Sequence, residues 1–154
     1  MTLNFAGTVY SILQNKGRDV YHLPPEATVY DALQLMASKN TGAVLVVGEG
    51  KLLGIISERD YARKGILQGR MSRETPVSEV MVSPAVIAHL DSSVEDCMRL
   101  VATNPVRHLA IVDRSDRNKV IGVVSVGDLV KSIISTQADT IDRLQDYISG
   151  KYPG

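Results

Sequence analysis

Two stretches of the sequence carry the same phrase: residues 54–61 read GIISERDY, and residues 122–129 read GVVSVGDL. In each stretch a glycine and two aliphatic residues precede a serine, and an aspartate lies three positions after that serine. A serine followed by an acidic residue at this spacing is typical of a helix start, where both side chains cap backbone N–H groups. The second phrase begins 68 positions after the first, at 122 against 54, and this repetition predicts a structural unit that occurs twice.

The similarity continues upstream of both phrases. Residues 28–36, TVYDALQLM, align with residues 93–101, SVEDCMRLV, at an offset of 65 positions. Residues 43–47 align with residues 108–112 at the same offset, and both are mainly aliphatic. The offset then grows to 68, because the turn that follows is three residues longer in the second copy. The chain is therefore interpreted as a tandem duplication.

Each copy has the pattern of strand, helix, strand, strand and helix. A short strand is predicted over residues 20–23 and again over 85–89, and the helix that follows is capped by Thr28 or Ser93. The next two strands are apolar almost throughout, which is typical of strands covered on both faces. The last helix is predicted to begin just after the serine of the repeated phrase.

The two copies are expected to pack against each other, because a unit of about 50 residues is marginal on its own. Packing across a pseudo-two-fold axis buries both sheets and creates two equivalent clefts. The predicted fold is α/β, with a first repeat at residues 8–68, a second repeat at 77–136, an N-terminal helix and a C-terminal helical extension at 137–154.

An apolar stripe with helical spacing continues beyond the second repeat. Its members are Leu129, Val130, Ile133, Ile134, Ala138, Ile141, Leu144 and Ile148. Such a stripe either contacts a second copy of the chain, giving a homodimer, or folds back onto its own subunit. The pattern alone favours neither.

The composition limits the classes of function. Lysine and arginine together number 17, as do aspartate and glutamate, and this balance argues against binding to nucleic acid or to an anionic membrane surface. No segment of the sequence reaches the ~20 apolar residues of a membrane span, and the single cysteine, Cys97, cannot form an internal disulfide. We therefore expect a cytoplasmic protein.

The sequence offers no motif for catalysis or for a metal. It contains no P-loop and no G-x-G-x-x-G, no nucleophile–base pair is recognisable, and its histidines and cysteine lack metal-ligand spacing. The two repeats account for nearly all of the chain. We expect neither enzymatic activity, nor a catalytic cofactor, nor a metal site.

The chain resembles a CBS-domain pair over about residues 8–136, because both copies share one order of elements and end in G-h-h-S-x-x-D, where h is aliphatic. The resemblance implies one disc of two repeats, whose clefts bind AMP, ADP, ATP or NAD(H), with S-adenosylmethionine less favoured. It also implies a homodimer and a stand-alone sensor of the bacterial signalling type, read by a regulated protein that the sequence does not identify. The alternative is an interaction or scaffold protein whose role does not depend on nucleotide.

The resemblance also assigns residues to each cleft. An aspartate can accept both hydroxyl groups of a ribose, and a helix N-terminus with a serine suits phosphate. The residues assigned to the first cleft are Ile55, Ser57, Glu58, Arg59, Asp60, Val106, Arg107 and His108. Those assigned to the second cleft are Thr41, Gly42, Ala43, His108, Val123, Ser125, Gly127 and Asp128.

The two clefts are predicted to differ in their affinity for phosphate. Arg59 of the first cleft carries a permanent planar cation, whereas Gly127 at the same position of the second cleft supplies none. We expect the second cleft to depend on His108 instead. Two alternatives stay open: both Ser-x-x-Asp motifs serve as helix caps alone, and Arg59 is a solvated residue that pairs with Glu58 or Asp60.

Overall fold

The computed structural model describes residues 7–148, without the side chains of residues 138–140, 143 and 146–148. The α-helices are α1 (Val9–Lys16), α2 (Val29–Lys39), α3 (Glu58–Asp60), α4 (Val94–Thr103) and α5 (Val126–Ile148). The strands are β1 (His22–Leu23), β2 (Ala43–Gly48), β3 (Lys51–Ser57), β4 (Ile87–Ala88), β5 (His108–Val112) and β6 (Val120–Ser125). This confirms the α/β fold with an N-terminal helix and an extended C-terminal helix.

Each repeat contains one three-stranded sheet with the same topology. β1 pairs in parallel with β2, and β2 pairs antiparallel with β3. β4, β5 and β6 repeat this arrangement in the second sheet. The helix α2 or α4 makes the crossover that a parallel pair of strands requires.

The first strand of each repeat is shorter than the sequence predicts, with two residues in place of 20–23 and 85–89. In the first repeat Pro24 follows β1 directly, and proline has no N–H group to extend a ladder. In the second repeat the N–H group of His89 donates to Ser92 Oγ at 3.0 Å, so the chain has already entered a turn.

Both hairpins are covered on both faces, as their continuous apolar sequences predict. In β2, Val44 and Val46 lie in the core of the first repeat, whereas Leu45 lies in a third cluster that residues of both repeats share. In β5, Ile111 lies in the core of the second repeat, and the adjacent Val112 lies in the shared cluster. Successive side chains therefore alternate between a repeat's own core and the contact between repeats.

The segments that precede the two repeats are exchanged. Helix α1 precedes β1 of the first repeat, but Val9 and Ile12 lie in the core of the second. The 3₁₀ helix Val77–Glu79 precedes β4 of the second repeat, but Val77 and Val80 lie in the core of the first. Each core is thus completed by the segment that precedes the other repeat.

Equivalent backbone hydrogen bonds attach these two segments. The N–H group of Val9 donates to the carbonyl of Ser92 at 3.0 Å, and that of Val77 donates to the carbonyl of Ala27 at 2.7 Å. In both cases the acceptor immediately precedes the residue that caps α4 or α2. The duplication therefore extends to the attachment of the preceding segments.

The helix after the repeated phrase differs between the repeats. In the second repeat α5 is continuous over 23 residues. In the first repeat α3 has three residues and passes into the π-helix Tyr61–Gly65 and the 3₁₀ helix Ile66–Gln68. The prediction of a helix that begins just after the serine is confirmed in both copies, but in the first copy the α-helix is short. Glycine disfavours an α-helix, and a Cβ atom at Gly65 would lie 2.8 Å from Tyr61 Cδ2.

Helix α5 continues beyond the second repeat without turning back. Leu129 is buried, and Ile133 packs against the second core. The exposed members of the apolar stripe are Val130, Ile134, Ile141 and Leu144. The alternative that the tail folds back is therefore wrong over the described part of α5, and the side chains of Ala138 and Ile148 lie outside the described residues.

Candidate functional site

Both repeated phrases start a helix, and both serines cap it. The N–H group of Asp60 donates to Ser57 Oγ at 3.2 Å, and that of Ser57 donates to Asp60 Oδ2 at 3.0 Å. The N–H group of Asp128 donates to Ser125 Oγ at 3.1 Å, and that of Ser125 donates to Asp128 Oδ2 at 2.9 Å. A carboxylate has about four acceptor positions, so neither cap uses up the capacity of its aspartate.

Seven of the eight residues assigned to the first cleft line one cavity between the repeats. They are Ile55, Ser57, Arg59, Asp60, Val106, Arg107 and His108. Glu58 stays outside this cavity, because its side chain is exposed and its N–H group donates to the carbonyl of Gly42 at 3.2 Å. The cavity has four further lining residues that the sequence did not indicate: Val82, Ala85, Val86 and Pro105.

The cavity of the first cleft is narrow, with a volume of about 20 Å³. This is space for about one water molecule, whereas pockets for small ligands hold about 300–1,000 Å³. Both repeats contribute walls to this cavity, and a cavity of about 330 Å³ beside it shares Arg59, Pro105, Val106 and Arg107.

Arginine side chains surround the mouth of the first cleft. Arg59 and Arg107 both line the cavity. The pKa of Arg59 is lowered first by the charge of Arg63, then by burial and by the charge of Arg107, whereas Asp60 opposes the shift. Among the described residues Arg59 forms no ion pair with Glu58 or Asp60. Asp60 is an acidic residue that lines the same cavity, and the two arginines are of the kind that suits phosphate.

His108 lies between the two clefts. It lines the first cavity, and a Cβ atom at Gly42 in the second cleft would lie 3.6 Å from His108 Nε2. Burial lowers the pKa of His108 most strongly, and the charge of Lys16 lowers it further. The carboxylates Asp128 and Asp60 raise the same pKa, while Arg107 lowers it. The pKa of this one imidazole therefore depends on charged groups of both clefts.

The second cleft contains a cation that the sequence did not indicate. Lys16, at the end of α1, donates from Nζ to Asp128 Oδ2 at 2.6 Å and to the carbonyl of Val123 at 2.8 Å. Burial raises the pKa of Asp128, but hydrogen bonds from Lys16 and from the Ser125 N–H group outweigh burial and lower it overall. The side chain of Asp128 is only 18% exposed, against 39% for Lys16. The second aspartate is therefore already paired.

The cavity that reaches Asp128 runs between α1 and α5. It has a volume of about 550 Å³, and Lys16 and Lys131 both line it. The second-cleft residues Thr41 to Ala43 lie at the start of β2, outside this groove. Of the residues assigned to the second cleft, Gly42 therefore lies beside His108. Val123 and Asp128 are linked because both accept a hydrogen bond from Lys16. Gly127 is exposed at the surface.

The sequence feature that could have indicated a role for Lys16 lies in the segments before β1 and β4. Val9 and Ile12 match Val77 and Val80 at the offset of 68, which aligns α1 with the turn before the second repeat. Lys16 then aligns with Pro84, which has no charge. The sequence contains this alignment, but it does not show that α1 packs on the second repeat.

The described residues, 7–148, contain no group of three or more histidine, cysteine, aspartate and glutamate side chains that could hold a metal ion. In the same part of the chain, no helix has the length and apolar character needed to cross a membrane. Cys97 is buried, and burial first, with the charge of Asp96, raises the pKa of its thiol to about 11. Such a thiol is a poor nucleophile at neutral pH.

Comparison with known proteins agrees with the duplicated architecture. The family model of the CBS domain matches residues 15–65 and 77–135, which together make up more than half of the chain. The chain belongs to the CBS-domain family. Both copies of the repeated phrase fall inside the matched ranges, so each CBS domain contributes one Ser-x-x-Asp motif.

Relatives of this CBS-domain pair occur in plants and bacteria. The mitochondrial CBS domain-containing protein CBSX3 of Arabidopsis thaliana is 34% identical, over 94% of this chain and 73% of that protein. The CBS domain-containing protein YhcV of Bacillus subtilis is 36% identical, over 83% of this chain and 89% of that protein. A solved structure of a protein with CBS domains from Burkholderia ambifaria is 43% identical, with a TM-score of 0.76, over 83% and 94% of the two chains.

Proposed function

We propose that this CBS-domain pair is a regulatory module that binds adenine nucleotides in the cleft containing Ser57 and Asp60. The observation that carries the proposal is the convergence of this helix start with Val106, Arg107 and His108 of the other repeat on one cavity. A regulatory role fits a chain in which two CBS domains make up most of the length. We propose no catalytic activity for it.

The first cleft contains the chemical groups that an adenine nucleotide needs. The Asp60 carboxylate accepts the ribose hydroxyl groups, and apolar side chains such as Ile55 and Val106 cover the faces of the adenine ring. The phosphate meets Arg59 and Arg107, whose planar cations suit its geometry. AMP, ADP, ATP and NAD(H) share these groups, and we propose this class of ligand.

A solved CBS-domain pair supports the choice of an adenosine ligand. That pair is in complex with 5′-methylthioadenosine and S-adenosyl-L-methionine, and it has a TM-score of 0.69 to this chain over 82% and 94% of the two chains. At 23% identity the likeness concerns the fold alone. The fold can therefore hold adenosine, while the arginines of this chain favour a phosphorylated form of it.

The narrow cleft offers a mechanism for signalling. A ligand that binds only a widened cleft shifts the population toward the widened state. The shared cluster contains Leu45 of one repeat and Val112 of the other, so widening changes the packing between the repeats. A homodimer contact through the exposed stripe of α5 would transmit this change to a second copy, because the N–H group of Val126 at the start of α5 donates to the carbonyl of Arg107, which lines the first cavity, at 2.9 Å.

The test is calorimetry with AMP on the wild type, Asp60→Ala and Asp31→Ala. We expect Asp60→Ala to weaken binding at the first cleft by at least about tenfold, because a charged acceptor for the ribose is lost. Asp31 is the matched control, since it caps α2 as Asp60 caps α3 but lies outside the first cavity. Equal affinity of all three proteins for AMP contradicts the proposed site.

The remaining candidate function is a scaffold that does not depend on nucleotide, favoured by the exposed stripe of α5. The two functions differ in their response to ligand, since a ligand that prefers the native state must stabilise it. We expect AMP, ATP or NADH at millimolar concentration to raise the melting temperature. Failure of all three to do so supports the scaffold.

A further inference from the structure

We infer that Lys16 determines ligand specificity in the second cleft. It favours adenosine ligands that carry phosphate over those that do not. The inference rests on the proposed function, because it assumes that the Ser125 and Asp128 phrase binds the same class of ligand as its copy. Its basis is that the ammonium group of Lys16 donates to two acceptors, Asp128 Oδ2 and the carbonyl of Val123, that a ligand of the second cleft would use.

The ammonium of Lys16 occupies the place of two parts of the ligand. It is 2.6 Å from Asp128 Oδ2, the group proposed to accept the ribose hydroxyls. It is also 2.8 Å from the carbonyl oxygen of Val123, a residue of β6 that the resemblance assigns to the second cleft. A ribose hydroxyl group that uses Asp128 Oδ2 therefore has to displace Lys16.

Helix α1 holds Lys16 at this position. Val9 and Leu13 are almost completely buried, and a Cβ atom at Gly122 of β6 would lie 2.9 Å from Leu13 Cδ1. The end of α1 is therefore fixed against the second repeat, while the side chain of Lys16 keeps a flexible stem of four carbons. The ammonium can leave Asp128 without unfolding of α1, and it moves into the groove beside α5.

The first cleft contains no equivalent cation. Asp60 Oδ2 accepts from Ser57 Oγ at 2.9 Å, whereas Asp128 Oδ2 accepts from Lys16. The residue that aligns with Lys16 is Pro84, which has no donor. Ribose therefore displaces only a hydroxyl group in the first cleft, but it breaks an ion pair in the second.

The ion pair selects among ligands by charge. Adenosine is neutral, so its ribose breaks the ion pair between Asp128 and Lys16 and provides no new anion for the ammonium group. AMP carries a phosphate that replaces Asp128 as the partner of Lys16, close to the N-terminus of α5. S-adenosylmethionine offers a carboxylate in place of the phosphate but also carries two positive charges, so its charge suits Lys16 less well than that of AMP. In the second cleft, selectivity for phosphate therefore comes from Lys16 of α1, because Gly127 has no cationic side chain.

The experiment measures adenosine and AMP at the second cleft with the first cleft disabled. Asp60→Asn provides this background, because the amide keeps the shape of the side chain and an acceptor for the Ser57 N–H group. Within it, Lys16→Gln removes the ammonium. Lys131→Gln is the matched control, since Lys131 lines the same groove as Lys16 and forms no ion pair among the described residues.

We expect Lys16→Gln to bind adenosine about tenfold more tightly at the second cleft, because no charged hydrogen bond has to be broken. Its affinity for AMP should not rise, so the preference for AMP falls about tenfold. Lys131→Gln should keep the preference of the background protein. The amide NMR shift of Gly127 gives a second readout in the wild-type protein, where both clefts are intact.

Three outcomes overturn the inference: an unchanged preference in Lys16→Gln, an equal loss of preference in Lys131→Gln, or no binding of AMP to the second cleft in any of these proteins. The first cleft is followed separately in an Asp128→Asn background. Failure of AMP to bind there contradicts the proposed function itself. Normal binding there with an unchanged preference at the second cleft contradicts the role of Lys16 alone.

Discussion

The two helix starts share a serine and an aspartate but differ in what approaches the aspartate. Asp60 is bonded to its own cap and faces a narrow cavity with two arginines, whereas Asp128 is bonded to its cap and to Lys16. The motif is the same, so the difference comes from the segment that covers each repeat. A duplicated motif can therefore acquire two properties without a change in the motif, because each copy has a different neighbour.

The largest expected difference between the repeats concerns the glycine that opens each phrase. A Cβ atom at Gly54 would collide with the carbonyl oxygen of Val82, which is fixed by two backbone hydrogen bonds with Ile55. A Cβ atom at Gly122 would meet only the methyl groups of Leu13, at 2.9 and 3.0 Å. We expect Gly54→Ala to lower the free energy of unfolding by about 3 kcal/mol and Gly122→Ala by about 1 kcal/mol.

Urea denaturation of the two alanine variants checks this order. Equal losses of stability would show that the buried side chain of Leu13 is as immovable as the backbone at Val82. A larger loss for Gly122→Ala would contradict the comparison altogether. The slope of the transition has to match the wild type for either conclusion, because a changed slope indicates a changed denatured state.

The next largest effect concerns the ion pair of the second cleft. Lys16→Gln should lower the free energy of unfolding by about 1 kcal/mol at pH 7, a modest value because Lys16 is partly exposed. The pKa of Asp128 is lower in the folded protein than its usual value of 3.8, so this stability is present above pH 3.8 and is lost as the pH falls through the folded pKa.

Denaturation curves at several pH values test this prediction. The curves of the wild type and Lys16→Gln should converge at acidic pH, whereas Lys131→Gln should match the wild type throughout. A constant difference between wild type and Lys16→Gln from pH 7 to pH 3 would show that Lys16 stabilises the fold by packing of its stem rather than through Asp128.

The smallest expected effect concerns His108, which both clefts share. Its pKa lies below the usual value of 6.5 because burial, Lys16 and Arg107 outweigh the attraction of Asp128 and Asp60. The unfolded chain then binds more protons, so stability is complete above pH 6.5 and falls as the pH drops below it.

Substitution of His108 by glutamine should remove part of this dependence on pH. His22→Gln is the control, because the side chain of His22 is exposed and lies outside both clefts. Thermal unfolding between pH 5.5 and 7.5 measures the slopes. An unchanged slope in His108→Gln would show that another group is responsible for the loss of stability at acidic pH.

The sequence predicted the features that depend on local pattern. The caps at Thr28, Ser57 and Ser93 follow from short motifs, and all three serve as N-caps. The covering of the hairpins on both faces follows from their continuous apolar residues, which β2 and β5 place alternately in two clusters. These predictions succeed because residues close in sequence determine them.

The features that were missed depend on contacts between distant segments. A helix was predicted after Ser57, but its change from an α-helix to the π-helix Tyr61–Gly65 was not. Lys16 was not assigned to the second cleft, because its partner Asp128 lies 112 positions later. Glu58 was assigned to the first cleft but does not line the cavity, since its position next to a cleft residue does not direct its side chain inward.

The exchange of the preceding segments has a consequence for the order in which the protein folds during synthesis. Helix α1 is made before both sheets, and a helix of eight residues is unstable in isolation. The strand β6 that Leu13 contacts is made more than a hundred residues later, so α1 lacks this partner until the strands of the second repeat have been made. The first repeat receives Val77 and Val80 soon after its own strands, and it can close while the second repeat is still being made.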